Sequence, residues 1–401
     1  MTEQRSAGGE TIEGHVEPGF EPVREAFAEN FSKRDEAGAA FAAVLDGRPV
    51  VDLWGGVSDR ASGRPWQQDT TQLIFSGTKG LTTLCIAMLI DRGQLGLEDS
   101  VCRHWPEFAA NGKEAVTLAQ VLSHRASMPA VRTPISIEDV LDPQRIEEML
   151  AAQRQESDPR AEFIYHARTL GWICDGLIRR VDGRSTGRFF AEEVAAPLGL
   201  DLWIGLPPEL EERVAMLHYG PAWGSSVFGR PEADPFPGDQ LWQTIWANPV
   251  LYPAGDLPWN RPALHAAEIP SSNAIGTARS IARVYGALAR GGEIDGVRLL
   301  SAETITHLST PAVSGHDPFT GAATAFSHGF EVQSTDMPLG PEPSAYGFTG
   351  TGGSTHGAWP ERRVGFSYAM NELRDDLDGD ARPRVLLEAL HGCLQRSGEK
   401  N

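Results

Sequence analysis

Residues 75–81 read Phe-Ser-Gly-Thr-Lys-Gly-Leu, and residues 84–90 that follow, LCIAMLI, are apolar without interruption. A helix that is apolar on every side is buried, so we expect this segment at the centre of the fold. Ser76 and Lys79 are three residues apart and would share one face of that helix, a turn apart. The chain has only four lysines, and an idle charge before a buried helix would be costly. The stretch predicts a hydroxyl and an amine presented together.

The amine and the hydroxyl have complementary chemistry. Burial lowers the pKa of a lysine, so that the amine can act as a neutral base and take the proton of a neighbouring serine. The N-terminus of a helix also stabilises negative charge on the serine oxygen. The alternative, a surface Ser-x-x-Lys without a role, is disfavoured because Lys79 precedes an apolar helix.

The segments around this helix indicate an α/β sheet lobe built from both chain ends. Residues 37–47 and 49–56 are β-like apolar runs joined by the turn Asp46-Gly47, which predicts an antiparallel hairpin. Further β-like runs follow at residues 327–333, 345–350, 353–359 and 364–371, before a last amphipathic helix near residues 383–395. We therefore predict an antiparallel sheet flanked by helices over residues 18–95 and 271–401, with residues 1–17 as an N-terminal extension.

Helical periodicity dominates between these parts, which predicts an inserted, mostly helical lobe over residues 96–270. Residues 219–270 form a Pro- and Trp-rich stretch of weak periodicity, and long ordered loops often wall a functional site. Its tryptophans could line a pocket or only pack the loop; they are Trp223, Trp242, Trp246 and Trp259. The helical stripe is clearest at Leu170, Ile173, Cys174, Leu177, Ile178 and Val181.

Composition excludes several classes of partner. The formal net charge is −19, and no basic cluster offsets it, so nucleic acid and anionic membranes are not expected partners. The N-terminus has no apolar signal region and no apolar run is long enough to span a bilayer, which predicts a soluble, cytoplasmic protein. The four cysteines lack metal-ligand spacing. A homo-oligomer is compatible with the sequence.

Several motifs together resemble one known family. Ser76-Gly77-Thr78-Lys79 resembles the Ser-x-x-Lys motif of serine β-lactamases, penicillin-binding proteins and related esterases, and the following helix looks like their central helix. The stretch YHARTLGWICDGLIRRVDGRS, from Tyr165, resembles the second motif region of the esterase branch. The resemblance extends over residues 37–371 and is strongest to family VIII carboxylesterases, which have the class C β-lactamase fold.

The resemblance implies roles for three residues. Ser76 would be the nucleophile, Lys79 its base partner and Tyr165 the group that passes a proton to the leaving alcohol. A phenol on a loop ahead of an amphipathic helix is free to point into a cleft, which agrees with this role, although a packing tyrosine is the alternative. No metal or organic cofactor is implied.

Two departures from the family pattern bear on the substrate. Where the β-lactamase branch has Tyr-x-Asn, this chain has Tyr165-His166-Ala167, and the missing amide argues against efficient β-lactam turnover. The third motif, Lys-Thr-Gly or His-Thr-Gly in relatives, corresponds to Phe348-Thr349-Gly350, and an apolar Phe348 cannot hold a carboxylate. We expect a small neutral ester as substrate, with His166, Phe348 and Gly350 in contact with it.

Residues 351–354, Thr-Gly-Gly-Ser, are expected to form an edge strand that faces Ser76. The backbone N–H of Thr351 would join that of Ser76 as an oxyanion hole. Ser354 takes this place if the register slips, and a plain glycine-rich turn is the alternative. His124 and His356 invite a Ser-His-Asp reading, but no G-x-S-x-G elbow is present, so we interpret both as structural.

These features predict a serine carboxylesterase that hydrolyses small, short-chain neutral esters through an acyl-enzyme. An acyltransferase with the same acyl-enzyme, an amidase, peptidase or β-lactamase, and a non-catalytic binding protein are the competing hypotheses. Phe348 and Ala167 disfavour amide and β-lactam substrates, and the joint presence of Ser76, Lys79 and Tyr165 disfavours a binding protein.

Overall fold

The structure is a computed structural model of the 401-residue chain. It describes residues 4–5, 11–156, 158, 161–221, 223, 240–375 and 379–398. Part of the Trp-rich loop, residues 222 and 224–239, lies outside the described residues, while its four tryptophans lie within them.

The strands and helices alternate in blocks along the chain, with the helices concentrated in its middle. The described strands are β1 Gln4–Arg5, β2 Thr11–Val16, β3 Gly38–Leu45, β4 Arg48–Asp59, β5 Arg64–Pro65, β6 Gln72–Leu73, β7 Leu202–Ile204, β8 His218–Tyr219, β9 Ala274–Gly276, β10 Glu293–Ile294, β11 Val297–Arg298, β12 Val313–His316, β13 Ala323–Phe326, β14 Glu331–Val332, β15 Tyr346–Thr349, β16 Thr355–Trp359, β17 Val364–Met370 and β18 Glu372–Leu373. The described helices are α1 Glu21–Lys33, α2 Thr78–Asp91, α3 Val101–His104, α4 Leu118–Leu122, α5 Ile137–Val140, α6 Pro143–Ala152, α7 Thr169–Asp182, α8 Thr186–Phe190, α9 Ala196–Leu198, α10 Gln240–Trp246, α11 Pro262–Ala266, α12 Ala278–Ala289, α13 Ala302–Ser309 and α14 Ala381–Gly398.

The main sheet joins the two ends of the chain, as the sequence predicted. Its strand order is β1-β2-β4-β3-β17-β16-β15-β14-β13-β12, with β5 paired to β4, and every neighbouring pair is antiparallel. The central pair unites distant segments, since Val364 of β17 pairs with Leu45 of β3 and Met370 pairs with Ala39.

Helices cover both faces of this sheet. On one face, α12 packs on β3, β16 and β17, so closely that a Cβ on Gly365 would lie 2.0 Å from the Gly286 nitrogen. Three residues further along β17, Tyr368 points to the opposite face, where its hydroxyl contacts the buried Glu36 carboxylate. Arg382 of α14 bonds the same carboxylate at 3.0 Å, and α14 packs on α1 there.

The N-terminal segment, which the sequence predicts as an extension, contributes strand β2 to the main sheet. Strand β2 pairs with β4 from Ile12 opposite Gly55 to Val16 opposite Val51. The physical reason lies at Gly14, whose φ is +109° and whose added Cβ would lie 2.0 Å from the Asp52 carbonyl oxygen. Glycine permits this close approach of two backbones, whereas the polar composition of the segment hides its strand character. The remaining lobe boundaries stay a prediction.

Helix α2 connects the sheet to the helical part. It contacts α7, α8, α13 and β15, and all its residues from Thr78 to Leu89 are buried. A small sheet with the order β6-β9-β7 lies next to its N-terminus, since Ile74 donates its N–H to the Ala274 carbonyl. No helix in the described ranges combines the length and the apolar character that crossing a membrane requires.

Candidate active site

The turn that leads into α2 presents Ser76 at the edge of the helical part. Residues Phe75–Gly77 form one turn of 3₁₀ helix, and α2 continues from Thr78. Phe75 adopts a φ of +47°, a left-handed conformation that is uncommon for a large residue and that occurs mainly where surrounding packing enforces it. Phe75 is buried and its ring packs edge-on against Trp259 at 5.5 Å, which holds this turn in place.

The structure brings Ser76, Lys79 and Tyr165 together. The Ser76 hydroxyl oxygen lies 3.1 Å from Lys79 Nζ and 2.9 Å from the Tyr165 hydroxyl. The spacing of Ser76 and Lys79 follows from the helical turn between them. Tyr165 comes from the segment before α7, and the Lys79 ammonium or amine lies 4.9 Å from the centre of its ring.

Lys79 is held on three sides. Besides Ser76, its Nζ contacts the carbonyl oxygens of Ala167 at 2.6 Å and Ser271 at 3.1 Å. A neutral amine has two N–H bonds and one lone pair. If the two carbonyls accept both N–H bonds, the lone pair faces the Ser76 hydroxyl. In that protonation state the arrangement can move the serine proton to nitrogen.

The electrostatics of the site favour that state. Lys79 is fully buried, and burial, together with the positive charge of Arg168, holds the pKa of the Lys79 amine well below its ordinary value. Burial raises the pKa of the Tyr165 phenol, so this group keeps its proton at neutral pH. The site therefore combines a proton acceptor and a proton donor on either side of one hydroxyl.

Tyr165 is fixed by aromatic packing. Its ring stacks on Phe326 at 5.7 Å with an interplanar angle of 8°, and it lies 6.5 Å from the ring of Trp246. The His124 ring packs on it at 4.8 Å. Because the phenol can turn little within this stack, its hydroxyl stays directed at Ser76.

A cavity of about 370 Å³ opens over Ser76 and Tyr165. Its volume matches a small-molecule site. Phe348 and Gly350, which the sequence predicts as substrate contacts, both line this cavity, and Thr351 lines it as well. A smaller cavity of about 20 Å³ adjoins it, shares Ser76 and Thr351, and is bounded on the far side by Arg168.

The prediction of an edge strand at residues 351–354 is wrong. Strand β15 ends at Thr349 and is an interior strand, with β14 on one side and β16 on the other. The chain then turns, with Gly350 donating to the Ser354 carbonyl at 2.8 Å, and both Gly352 and Gly353 have positive φ. Two consecutive glycines in this conformation form a turn and not a strand. Thr351 nevertheless stays beside Ser76, whereas Ser354 is buried and donates to the Ile74 carbonyl.

The expectation that His166 contacts substrate is also wrong. Its side chain is fully buried, and its Nε2 accepts the Met128 N–H at 3.0 Å while Nδ1 lies 2.7 Å from the Ile164 carbonyl oxygen. These bonds use both ring nitrogens to fix the backbone before α7. Burial lowers the pKa of His166 to about 4, so the ring is neutral at physiological pH.

The two other histidines of the sequence motifs are buried as well. His124 accepts the backbone N–H of His166 at 3.0 Å through Nδ1, and its ring packs edge-on against Phe326. His356 pairs with the Ser367 hydroxyl at 2.8 Å beneath Gly77. Neither lines the cavity over Ser76.

The tryptophans divide between the two roles that the sequence leaves open. Trp223 and Trp246 line the main cavity, and Trp259 lines the smaller one. Trp242 is buried and packs on Phe319 at 5.2 Å.

Sequence reasoning missed two charged residues near Ser76. Glu331 of β14 lines the main cavity, and its Oε2 accepts both the N–H and the hydroxyl of Thr349, at 2.8 and 2.9 Å. Arg168 donates to the carbonyls of Ile245 and Pro249, and burial lowers its pKa to about 10. The sequence offers one local signal for Arg168, its position two residues after His166 of the second motif region. It offers none for Glu331, because the partner of Glu331, Thr349, lies in a different strand.

Comparison with known proteins agrees with this geometry. Residues 23–391 match the family described as Beta-lactamase. The chain is 36% identical over 375 residues to the esterase/beta-lactamase LipL of Mycobacterium tuberculosis, which covers 92% of this chain and 85% of that protein. Among solved structures, a family VIII carboxylesterase is 38% identical and superposes with a TM-score of 0.86 over 95% of this chain and 99% of its own. A penicillin-binding protein homologue from Caulobacter crescentus is 36% identical, with a TM-score of 0.83 over 95% and 99% of the two chains.

Proposed function

Because the chain belongs to the beta-lactamase family and is a serine ester hydrolase, we propose that it hydrolyses small, neutral, short-chain esters through an acyl-enzyme on Ser76. The observation that carries this proposal is the position of one hydroxyl between the Lys79 amine and the Tyr165 phenol, at 3.1 and 2.9 Å. A nucleophile within hydrogen-bond reach of its base, in a cavity, is the arrangement that acyl transfer needs.

In the proposed acylation step, Ser76 Oγ attacks the ester carbonyl carbon and its proton passes to Lys79 Nζ. The carbonyl π electrons move to oxygen, where the backbone N–H groups of Ser76 and Thr351 would stabilise the negative charge. The N–H of Ser76 belongs to the first helical turn, whose donors have no acceptor within the helix. Thr351 lies in the turn that lines the same cavity.

The tetrahedral intermediate collapses as the carbon–oxygen bond to the alcohol breaks. Tyr165 donates its proton to the departing alcohol oxygen, and the phenolate that remains recovers a proton from the Lys79 ammonium, so that both groups are neutral again while Ser76 Oγ stays bonded to the acyl carbon. Water then attacks the acyl carbon and gives one proton to the same pair, which returns it to Ser76 Oγ as the bond between that oxygen and the acyl carbon breaks and the acid is released.

The preference for neutral esters over anionic ones is supported by the wall of the cavity. Phe348, which corresponds to the first residue of the Lys-Thr-Gly or His-Thr-Gly motif by the resemblance stated above, is buried, and it lines the cavity. Glu331 lies in the same wall. A substrate carboxylate would meet an aromatic ring and a carboxyl group here, with Lys79 largely neutral, and would lose its hydration without a partner.

A series of p-nitrophenyl esters with acyl chains of increasing length, assayed beside nitrocefin, tests this function. We expect the highest kcat/KM for short acyl chains, at least about 10²-fold above nitrocefin, since one charged group left unpaired costs several kcal/mol. Ser76→Ala protein is the matched control. Comparable turnover of nitrocefin and p-nitrophenyl butyrate contradicts the proposal, and ester products formed with an added alcohol identify the acyltransferase alternative.

A further inference from the structure

The main cavity is unusually rich in aromatic rings. Aromatic side chains from the helical part and from the sheet line it together. An aromatic face carries negative electrostatic potential, and a group of such faces is the surface that binds ammonium ions. The aromatic residues of the wall are Tyr165, Trp223, Trp246, Tyr252, Phe326 and Phe348.

The charges of the wall have the sign that a cation requires. Among the described lining residues, the one cationic side chain is Arg374, which bonds the buried Glu372 carboxylate at 2.8 Å. Arg168 faces the smaller cavity and donates to two carbonyls. The carboxyl groups of the main wall are those of Asp317, Glu331, Asp336 and Asp375.

Glu331 is the carboxyl group that is built into this wall. Both donors of Thr349 bond its Oε2, at 2.8 and 2.9 Å, which fixes the group in the wall of the cavity. None of the ion pairs formed within the described part of the chain includes Glu331; its electrostatic neighbour is Lys79, whose amine is occupied by Ser76 and two carbonyls. Burial raises the pKa of the Glu331 carboxyl group, so its ionised form lacks a compensating charge in this wall and a cationic ligand would stabilise it.

From these observations we propose that the cavity favours esters that carry an ammonium group over neutral esters of the same shape, and that Glu331 is the residue that determines this preference. The inference rests on the proposed esterase function and adds a substrate class to it. The negative charges and aromatic rings of the wall would attract a cationic ester and repel an anionic one. The net charge of −19 adds a long-range attraction for cations.

Two pairs of isosteric esters test the preference. The first places the charge in the alcohol, with butyrylcholine against 3,3-dimethylbutyl butyrate; the second places it in the acyl chain, with the p-nitrophenyl esters of 4-(trimethylammonio)butanoate and 5,5-dimethylhexanoate. We expect the cationic member of at least one pair to have a kcat/KM about tenfold higher, the order of a partly desolvated cation–π and charge contact. Ratios of one or less in both pairs overturn the proposal.

Substitution assigns the effect to Glu331. Glu331→Gln keeps an oxygen for Thr349 and removes the charge, so the cationic-to-neutral ratio should fall toward one. Glu107→Gln, on an exposed residue of the turn Pro106–Ala109, changes the net charge equally and should leave the ratio unchanged. A Glu331→Gln ratio equal to that of the wild type contradicts the assignment. If that variant does not fold by circular dichroism, Glu331→Asp is the substitute: it keeps the charge on a shorter side chain, so the cationic-to-neutral ratio should stay above one, and a ratio of one or less in a folded Glu331→Asp protein contradicts the assignment.

A binding measurement separates this inference from the proposed function. Isothermal titration of Ser76→Ala protein with choline and with 3,3-dimethylbutan-1-ol needs no turnover, and choline should bind about tenfold more tightly. If choline binds more tightly but no ester is hydrolysed in a Ser76-dependent way, the esterase proposal is contradicted and the cation preference is supported. Ester hydrolysis with equal binding of the two probes would remove the cation preference alone.

Discussion

Lys79 Nζ lies 3.1 Å from Ser76 Oγ, and the carbonyl oxygens of Ala167 and Ser271 occupy two further directions around the same nitrogen. The Ala167 carbonyl comes from the segment before α7 and the Ser271 carbonyl from the segment before β9, so two segments that are distant in the sequence fix the Lys79 amine. Since burial lowers the pKa of this amine, a neutral Lys79 has its lone pair directed at the serine hydroxyl. The chemistry that we propose depends on this relationship.

The three side chains should act as one unit. We expect Ser76→Ala, Lys79→Ala and Tyr165→Phe each to lower kcat/KM for p-nitrophenyl butyrate by at least about 10²-fold, because each interrupts the same proton path. The double variant of Lys79 and Tyr165 should lose little more than either single variant. Kinetics on variants with unchanged circular dichroism measure this. Near-normal turnover by Tyr165→Phe would make the tyrosine a packing residue.

The pH dependence of kcat/KM should report the base. A lysine accepts a proton only when it is neutral, so activity should rise with pH through the pKa of Lys79 and then reach a plateau. Burial and Arg168 lower that pKa, so the midpoint should lie below the ordinary lysine value of ~10.4. Because Lys79 and Tyr165 share a proton path, the midpoint of this rise in kcat/KM reports the ionisation of the two groups as a pair.

Arg168 provides a control for this assignment. Its positive charge disfavours the ammonium form of Lys79, so Arg168→Met should raise the pKa of Lys79. The rise of kcat/KM with pH should then occur at higher pH. Arg188→Met, at an exposed ion pair with Glu192, should leave this rise in place. If instead the rise disappears on replacement of His124, His166 or His356 while Lys79→Ala stays active, a histidine is the base.

Gly77 should be required for the turn that carries Ser76. A Cβ at this position would lie 2.5 Å from His356 Cδ2 and 3.0 Å from Ile74 Cδ1, and both side chains are buried. We expect Gly77→Ala to lower the free energy of unfolding by about 1–3 kcal/mol, the usual cost of overpacking, and to lower kcat.

Gly392→Ala is the matched control for this substitution. Gly392 lies within α14, and its added Cβ would meet only Arg396 at an ordinary 3.5 Å. Alanine should stabilise that helix by up to about 1 kcal/mol. Urea denaturation of both variants measures the difference, and a Gly77→Ala protein as stable as the wild type would show that His356 can move away.

The sequence allowed the fold and the centre of the site to be predicted because their signals are local. The apolar run of α2 and the spacing of Ser76 and Lys79 need no knowledge of distant segments, and the prediction of one antiparallel sheet from both chain ends is confirmed. The placement of Tyr165 beside Ser76 in the structure agrees with the motif that suggested it.

The parts that could not be predicted depend on packing between distant segments. The position of His166 next to Tyr165 predicts a place in the cleft, but adjacent side chains point in different directions, and the His166 ring accepts the Met128 N–H instead. The sequence after Thr349 predicts a strand, whereas the chain forms a turn because Gly352 and Gly353 adopt positive φ. Glu331 came into view only through Thr349, 18 residues away.

Covalent labelling tests the central claim most directly. A fluorophosphonate reacts with an activated serine hydroxyl to give a stable adduct, and peptide mass spectrometry locates it. We expect one adduct, on the peptide that contains Ser76. Its rate of formation should depend on pH in the same way as ester hydrolysis. The adduct should be absent from Ser76→Ala protein and should form much more slowly in Lys79→Ala protein. An adduct on another residue, or labelling of Ser76 that is unaffected by Lys79→Ala, would contradict the account.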